Sequence, residues 1–218
     1  MKLSALALAL GVTFSGSAFA TQAVWDTTAP WGSATTSQYA EWNLFNSTND
    51  TTPEVALSAG TTASVKETTG ASFVTSGGNI YSFAAATAFT ATLSGTTGDL
   101  FDVYLRISTV GTLAKPTATL NGVNATLVSQ LYESQGDFGG FGTSYEQEAY
   151  WKWTGVTGSS LYTFKFASSG SSMSLDQVAL ATVAVPTVTP VPEPETYSMM
   201  ALGLGLMAFA ARRSSKKA

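Results

Sequence analysis

Side chains able to do chemistry are few in this 218-residue chain, and their types narrow what it could be. Histidine and cysteine are both absent. That removes the usual general base, the Ser-His-Asp triad, imidazole and thiolate metal sites, and thiol nucleophiles. Carboxylates remain. A glycosidase needs two acids flanking a scissile bond, and the nearest pairs in sequence are Asp99 with Asp102 and Glu146 with Glu148. Glu146 and Glu148 would share one strand face, too close to flank a bond without a remote partner. All four read as surface acids, so no catalytic residue and no enzyme activity are expected.

Binding chemistry is denser in Gln135-Gly136-Asp137-Phe138-Gly139-Gly140-Phe141-Gly142, followed by Tyr150-Trp151-Lys152-Trp153. Glycine cannot cover Phe138 or Phe141 by itself. Trp151 and Trp153 fall on one face of a strand, with Tyr150 and Lys152 on the other. Two readings stay open. Exposed together, Trp151, Trp153, Phe138 and Phe141 with Asp137 would make a stacking platform for a sugar, whose C–H faces are apolar and whose hydroxyls need polar partners. Buried, the two tryptophans are core, and the glycine loop closes over them. No metal site and no cofactor are expected. A structural calcium is the one ion such a domain could take; Asp176, Asp137 and Asp26 are the acids to inspect first, although no Asp-x-Asp-x-Asp-Gly loop is present.

These residues must be carried by strands. Thr, Ser, Gly, Val and aromatics dominate, and turn residues interrupt short apolar runs about every ten positions, as in a sandwich or barrel. Phe101, Val103, Leu105 and Ile107 alternate with Asp102, Tyr104, Arg106 and Ser108. Thr117 to Leu120 and Val123 to Val128 flank Asn121-Gly122, a dipeptide suited to the two positive-φ positions of a tight hairpin. Tyr162, Phe164 and Phe166 define another strand, and Met173 to Leu180 the last. The expected fold is all-β, a two-sheet antiparallel jelly-roll sandwich over 21–182, followed by a Pro/Thr/Val linker over 183–191. Residues 21–70 read as long Thr-rich loops tied down by Trp25, Trp31, Trp42 and Phe45. The three-residue spacing of Tyr39, Trp42 and Phe45 suggests a minor helix over 38–45.

Both ends carry addresses. Residues 1–20 have Lys2, an apolar run from Leu3 to Val12 and the small-x-small site Ala18-Phe19-Ala20, the pattern of a signal peptide cut by signal peptidase. At the other end, Pro192-Glu193-Pro194 precede Tyr197 to Ala211, an uncharged stretch, and then Arg212, Arg213, Lys216 and Lys217. As a helix that stretch is roughly 22 Å long, a marginal membrane anchor whose cations would stay in the cytoplasm. The prolines make Val191 to Glu195 an extended, accessible substrate for a processing enzyme. Between the two ends, residues 21–190 hold 12 acidic and 5 basic side chains, a net charge of −7. Such a surface repels phosphate backbones, so no nucleic-acid partner is expected.

The Pro-Glu-Pro motif, short apolar helix and basic cluster over 192–218 resemble the PEP-CTERM sorting signal of exosortase substrates. The resemblance implies export across the inner membrane of a Gram-negative bacterium and transient membrane anchoring. It further implies recognition by a membrane-embedded exosortase and transfer to the surface or the exopolysaccharide matrix. A looser resemblance covers about 80–180. Leu105-Arg106-Ile107, the Asn121-Gly122 hairpin, Trp151-Lys152-Trp153 and Leu175-Asp176-Gln177-Val178 are similar in order to the galactose-binding-like jelly roll of many carbohydrate-binding modules. The expectation is a non-catalytic surface or matrix protein, with a carbohydrate-binding module as its alternative.

Overall fold

A computed structural model describes residues 25–56, 60–137, 143–186 and 194–214. It divides into two units, Met1–Val185 and Pro186–Ala218. In chain order the strands are β1 (Thr36–Trp42), β2 (Asn49–Asp50), β3 (Val55–Ala56), β4 (Ala63–Glu67), β5 (Phe73–Val74), β6 (Ile80–Tyr81), β7 (Ala88–Ser94), β8 (Leu100–Gly111), β9 (Thr117–Leu120), β10 (Val123–Thr126), β11 (Val128–Asp137), β12 (Thr143–Thr157), β13 (Leu161–Ala167) and β14 (Met173–Ala184). One helix, α1 (Pro194–Ser214), follows.

The strands form two antiparallel sheets, as expected. The first runs β11-β12-β8-β14-β1-β3, with β6 added on β14 and β5 on β6. The second runs β10-β9-β13-β7-β4-β2. Alternation explains which side chains meet between them, because successive residues of a strand point to opposite faces. Phe101, Val103, Leu105, Ile107, Trp151 and Trp153 face Phe89, Leu93, Leu120, Tyr162, Phe164 and Phe166 in one buried cluster. Trp151 lies 6.1 Å from Phe166 and Trp153 5.8 Å from Phe164, ring to ring. Asn121 and Gly122 take φ of 48° and 89° and turn β9 into β10, as their sequence requires. Asn121 also ties the hairpin to β13, donating from its N–H to Thr163 O at 2.8 Å and accepting from Thr163 N at 2.9 Å.

Several expectations need correction. No helix forms over 38–45. Strand β1 occupies 36–42 and pairs with β14 and β3, so Ala40 and Trp42 turn into the core while Tyr39 and Glu41 turn outward. Three-residue spacing suits a helix, but two partner strands decide the matter. Residues 21–70 are also less loop-like than their threonines suggest, since β1 to β4 lie there. Their connections are held by carboxylates. Asp50, 2% exposed, accepts from Asn46 N, Thr52 N and the Thr52 hydroxyl. Glu67 accepts from Thr69 N and Gly70 N. Burial alone would raise the Glu67 pKa, yet the bonds from Thr69 and Gly70 hold it below the ordinary range. A chain without disulfides thus closes its loops with acids that composition alone assigns to the surface.

Strand β14 continues to Ala184, and Val185 N donates to Leu100 O at 2.9 Å, so the sheet enters the expected linker. Helix α1 starts at Pro194, inside the stretch expected to be extended. Proline suits a first turn because its missing N–H would have no intrahelical partner there. Arg212 and Arg213 lie in its last turn, where cations complement the helix dipole. Its apolar side chains, Met199, Leu202, Leu204, Leu206 and Met207 among them, are exposed. Among the described residues, no helix is long and apolar enough to cross a membrane. The expectation of a transmembrane anchor is corrected accordingly: 15 uncharged residues, Gly203 and Gly205 included, stop short of the roughly 20 that a span needs.

Candidate binding face

The outward face of the first sheet is divided into a covered half and an open half. In the covered half, Tyr104, Arg106 and Ser108 point away from the core but are at most 5% exposed, because residues 25–31 lie across them. Glu148 anchors this strap. It accepts from Asp26 N at 2.5 Å, from Thr27 N at 3.0 Å and from the Thr27 hydroxyl. It also pairs with Arg106 at 3.0 Å. Arg106 donates in turn to the carbonyl and hydroxyl of Thr27, each at 2.7 Å, and its guanidinium sits 3.9 Å over the Trp25 ring. Burial lowers the Arg106 pKa, and the Glu148 charge opposes that. Trp25 Nε1 donates to Glu41 at 2.9 Å, and the Tyr39 hydroxyl donates to the same carboxylate. Trp31 meets Tyr39 and Tyr104 edge-on at 5.7 and 5.6 Å. Trp25 and Trp31 therefore dock on the sandwich, as loop anchors should.

The open half follows from register. Residues directly opposite in an antiparallel pair share a face. Glu133 pairs with Glu146, Glu146 with Val110, Val110 with Ser174, Ser174 with Tyr81, and Tyr81 with Phe73. Their inward neighbours Ile107, Leu175 and Ile80 are in the core, so this row faces outward. One end is aromatic. Phe73, Tyr81 and Phe83 have ring centroids 5.3 to 6.0 Å apart in tilted and edge contacts, and Phe83 is 67% exposed. The other end is acidic, with Glu133 and Glu146, and Asp176 stands beside Ser174 in the middle of the row. The Asp176 carboxylate accepts from the Ser174 hydroxyl at 2.8 Å, and Glu146 accepts from Gln135 at 2.6 Å. No cation is paired with either acid among the described residues; the two ion pairs found there are Arg106–Glu148 and Lys152–Asp102.

Electrostatics here runs against ionisation. Burial pushes the Asp176 carboxyl up to about 6, with the Ser174 hydrogen bond opposing and the Glu146 charge adding. Burial, then Asp26, raises Glu146 as well. An acid whose folded pKa lies above its unfolded value of 3.8 binds more protons when folded, so stability falls as pH rises from about 4 to about 6 and is level above that. The ionised group then costs up to roughly 3 kcal/mol. Asp176→Asn is expected to stabilise the protein by about 1–3 kcal/mol at pH 7.5 and by little at pH 4, because the amide carbonyl still accepts from Ser174. Urea midpoints at the two pH values check this; an equal gain at both would sink it.

Sequence reasoning did not single out Phe73, Tyr81 or Phe83. The available signal was Tyr81 alternating with Phe83 just after the Gly77-Gly78 turn. The residues it did single out are dispersed. Trp151 and Trp153 are 0% and 5% exposed, and their indole N–H groups donate to Pro116 O and Val123 O; they are core and offer no platform at the surface. Phe138 and Phe141 lie outside the described residues, and Asp137 is described only as the backbone end of β11. Asp102 is held by Lys152 at 2.7 Å and Glu148 by Arg106, so each nearest-neighbour acid pair has one member engaged. Asp26, Glu146 and Asp176 gather near the open half, but no group of three metal-ligating side chains is positioned to hold an ion among the described residues. Ala18, Ala20, Pro192, Glu193, Lys216 and Lys217 lie outside the described residues.

Residues 190–214 match the family model described as the PEP-CTERM protein-sorting motif. No curated protein and no solved structure matches the chain, and the galactose-binding-like resemblance gains no support. The motif match covers Pro192, Glu193, Pro194, Arg212 and Arg213. It supports an exported protein sorted through its C-terminus by an exosortase.

Proposed function

We propose that the protein is exported through a signal peptide cut after Ala20 and handed by its C-terminal motif to an exosortase. Processed there, it is delivered to the surface or extracellular matrix of a Gram-negative bacterium. Its sandwich acts there without catalysis, in association with exopolysaccharide. The observation that carries the reading is the sorting motif over 190–214. A helix short of a full span supports transfer rather than lasting anchorage, since such a segment is held weakly by lipid alone. Engagement of Asp102 and Glu148 in ion pairs supports the non-catalytic assignment.

The test is the mass of the protein in two strains. In the parent, the mature form is expected to lack the helix and basic tail and to appear in the surface or medium fraction. With the exosortase deleted, a form larger by the tail is expected in the membrane fraction. Identical mass and location in both strains would overturn exosortase sorting.

A further inference from the structure

The open half of the outward face shows three aromatic rings at one end of a cross-strand row and, further along it, carboxylates with no cation beside them among the described residues. We propose that this row binds a neutral pyranose polysaccharide, its sugar faces stacked on Phe73, Tyr81 and Phe83 and its hydroxyls donated to Asp176 and Glu146. The assignment rests on the exopolysaccharide reading and names the surface that serves it.

Geometry suits a sugar. Tyr81 stands directly opposite Ser174, and Asp176, two residues on along β14 at the bulge between Leu175 and Gln177, accepts from the Ser174 hydroxyl at 2.8 Å, so Ser174 links ring and carboxylate on this face. A pyranose stacked on Tyr81 would turn its rim hydroxyls toward Ser174 and Asp176, while Phe83, on the other side of Tyr81, would take the next sugar of the chain. Ser174 donates to one Asp176 oxygen, leaving acceptor capacity on the carboxylate for a hydroxyl.

Charge selects the class. Glu133, Glu146 and Asp176 line the row, while Arg106 is shut beneath the strap and Lys152 is committed to Asp102. A uronate-rich or phosphate-bearing polymer, or an anionic lipid surface, would meet uncompensated like charge. A protein strand adding to the edge is disfavoured too, because β5 is only two residues long.

Gel retardation of the purified, processed protein by the strain's own exopolysaccharide tests the proposal, with the polymer split into neutral and uronate-containing fractions. Retardation by the neutral fraction is expected, about tenfold weaker for Phe83→Ala and unchanged for Tyr132→Ala, an exposed aromatic on the opposite face of the same sheet. Equal retardation of wild type and Phe83→Ala would overturn this site while leaving the exopolysaccharide reading intact. No retardation by either fraction would overturn both. Retardation by the uronate fraction alone would overturn the ligand class. Self-association lost in Phe83→Ala, seen by size-exclusion chromatography, would assign the rings to a contact between copies instead.

Discussion

Replacing Glu148 with alanine is expected to destabilise the sandwich by about 3–5 kcal/mol, because removing one member of a buried ion pair leaves the other charge uncompensated. Glu148 is 1% exposed, and four donors converge on it: Asp26 N, Thr27 N, the Thr27 hydroxyl and Arg106. Alanine would leave the Arg106 guanidinium with Thr27 oxygens and the Trp25 face as partners, and would leave two strap N–H groups without acceptors. The loss is a large share of the 5–15 kcal/mol typical of a domain. Glu148→Gln keeps the shape and part of the hydrogen bonding, so it should fall between the two. Arg106→Met together with Glu148→Leu should recover much of the loss by removing both charges. Urea unfolding of the three variants decides the issue. A cost below about 1 kcal/mol for Glu148→Ala would show that the strap is dispensable.

Why the sheet was legible and the strap was not is a matter of range. Phe101 to Ser108 alternates within eight residues, and period two suffices to assign a strand and its core face. The same reading left Tyr104, Arg106 and Ser108 on an outward face, and nothing local says that face is covered. The hydrogen bonds that tie Asp26 and Thr27 to Glu148 and Arg106 join residues 79 to 122 positions apart. Asn121-Gly122 was legible for the opposite reason, since a tight turn is specified by two adjacent residues. Tyr39, Trp42 and Phe45 misled because spacing is a weak signal in a short segment that two neighbouring strands recruit. Phe73 and Tyr81 stayed hidden because strands of two residues show no periodicity. Their common face exists only once β6 pairs with β14.

Trp151 shows how burial changes the meaning of an experiment. Sequence allowed it to be a sugar-stacking ring, and a binding defect in Trp151→Ala would then have identified the site. In the structure it is 0% exposed, packs against Phe166 and donates to Pro116 O at 3.1 Å. Truncation would leave an indole-sized cavity and a carbonyl without its donor, at a cost of about 3–5 kcal/mol. For a domain of this size the melting temperature should fall by roughly 6–20 °C. Phe83→Ala, at an exposed position, should change stability by no more than about 0.5 kcal/mol. Thermal melts of the two variants side by side make the comparison. A fall for Trp151→Ala no larger than that for Phe83→Ala would mean that the indole is not part of the core. With the expected difference, lost polysaccharide binding in Trp151→Ala reports a weakened fold, and only a loss in Phe83→Ala locates a binding surface.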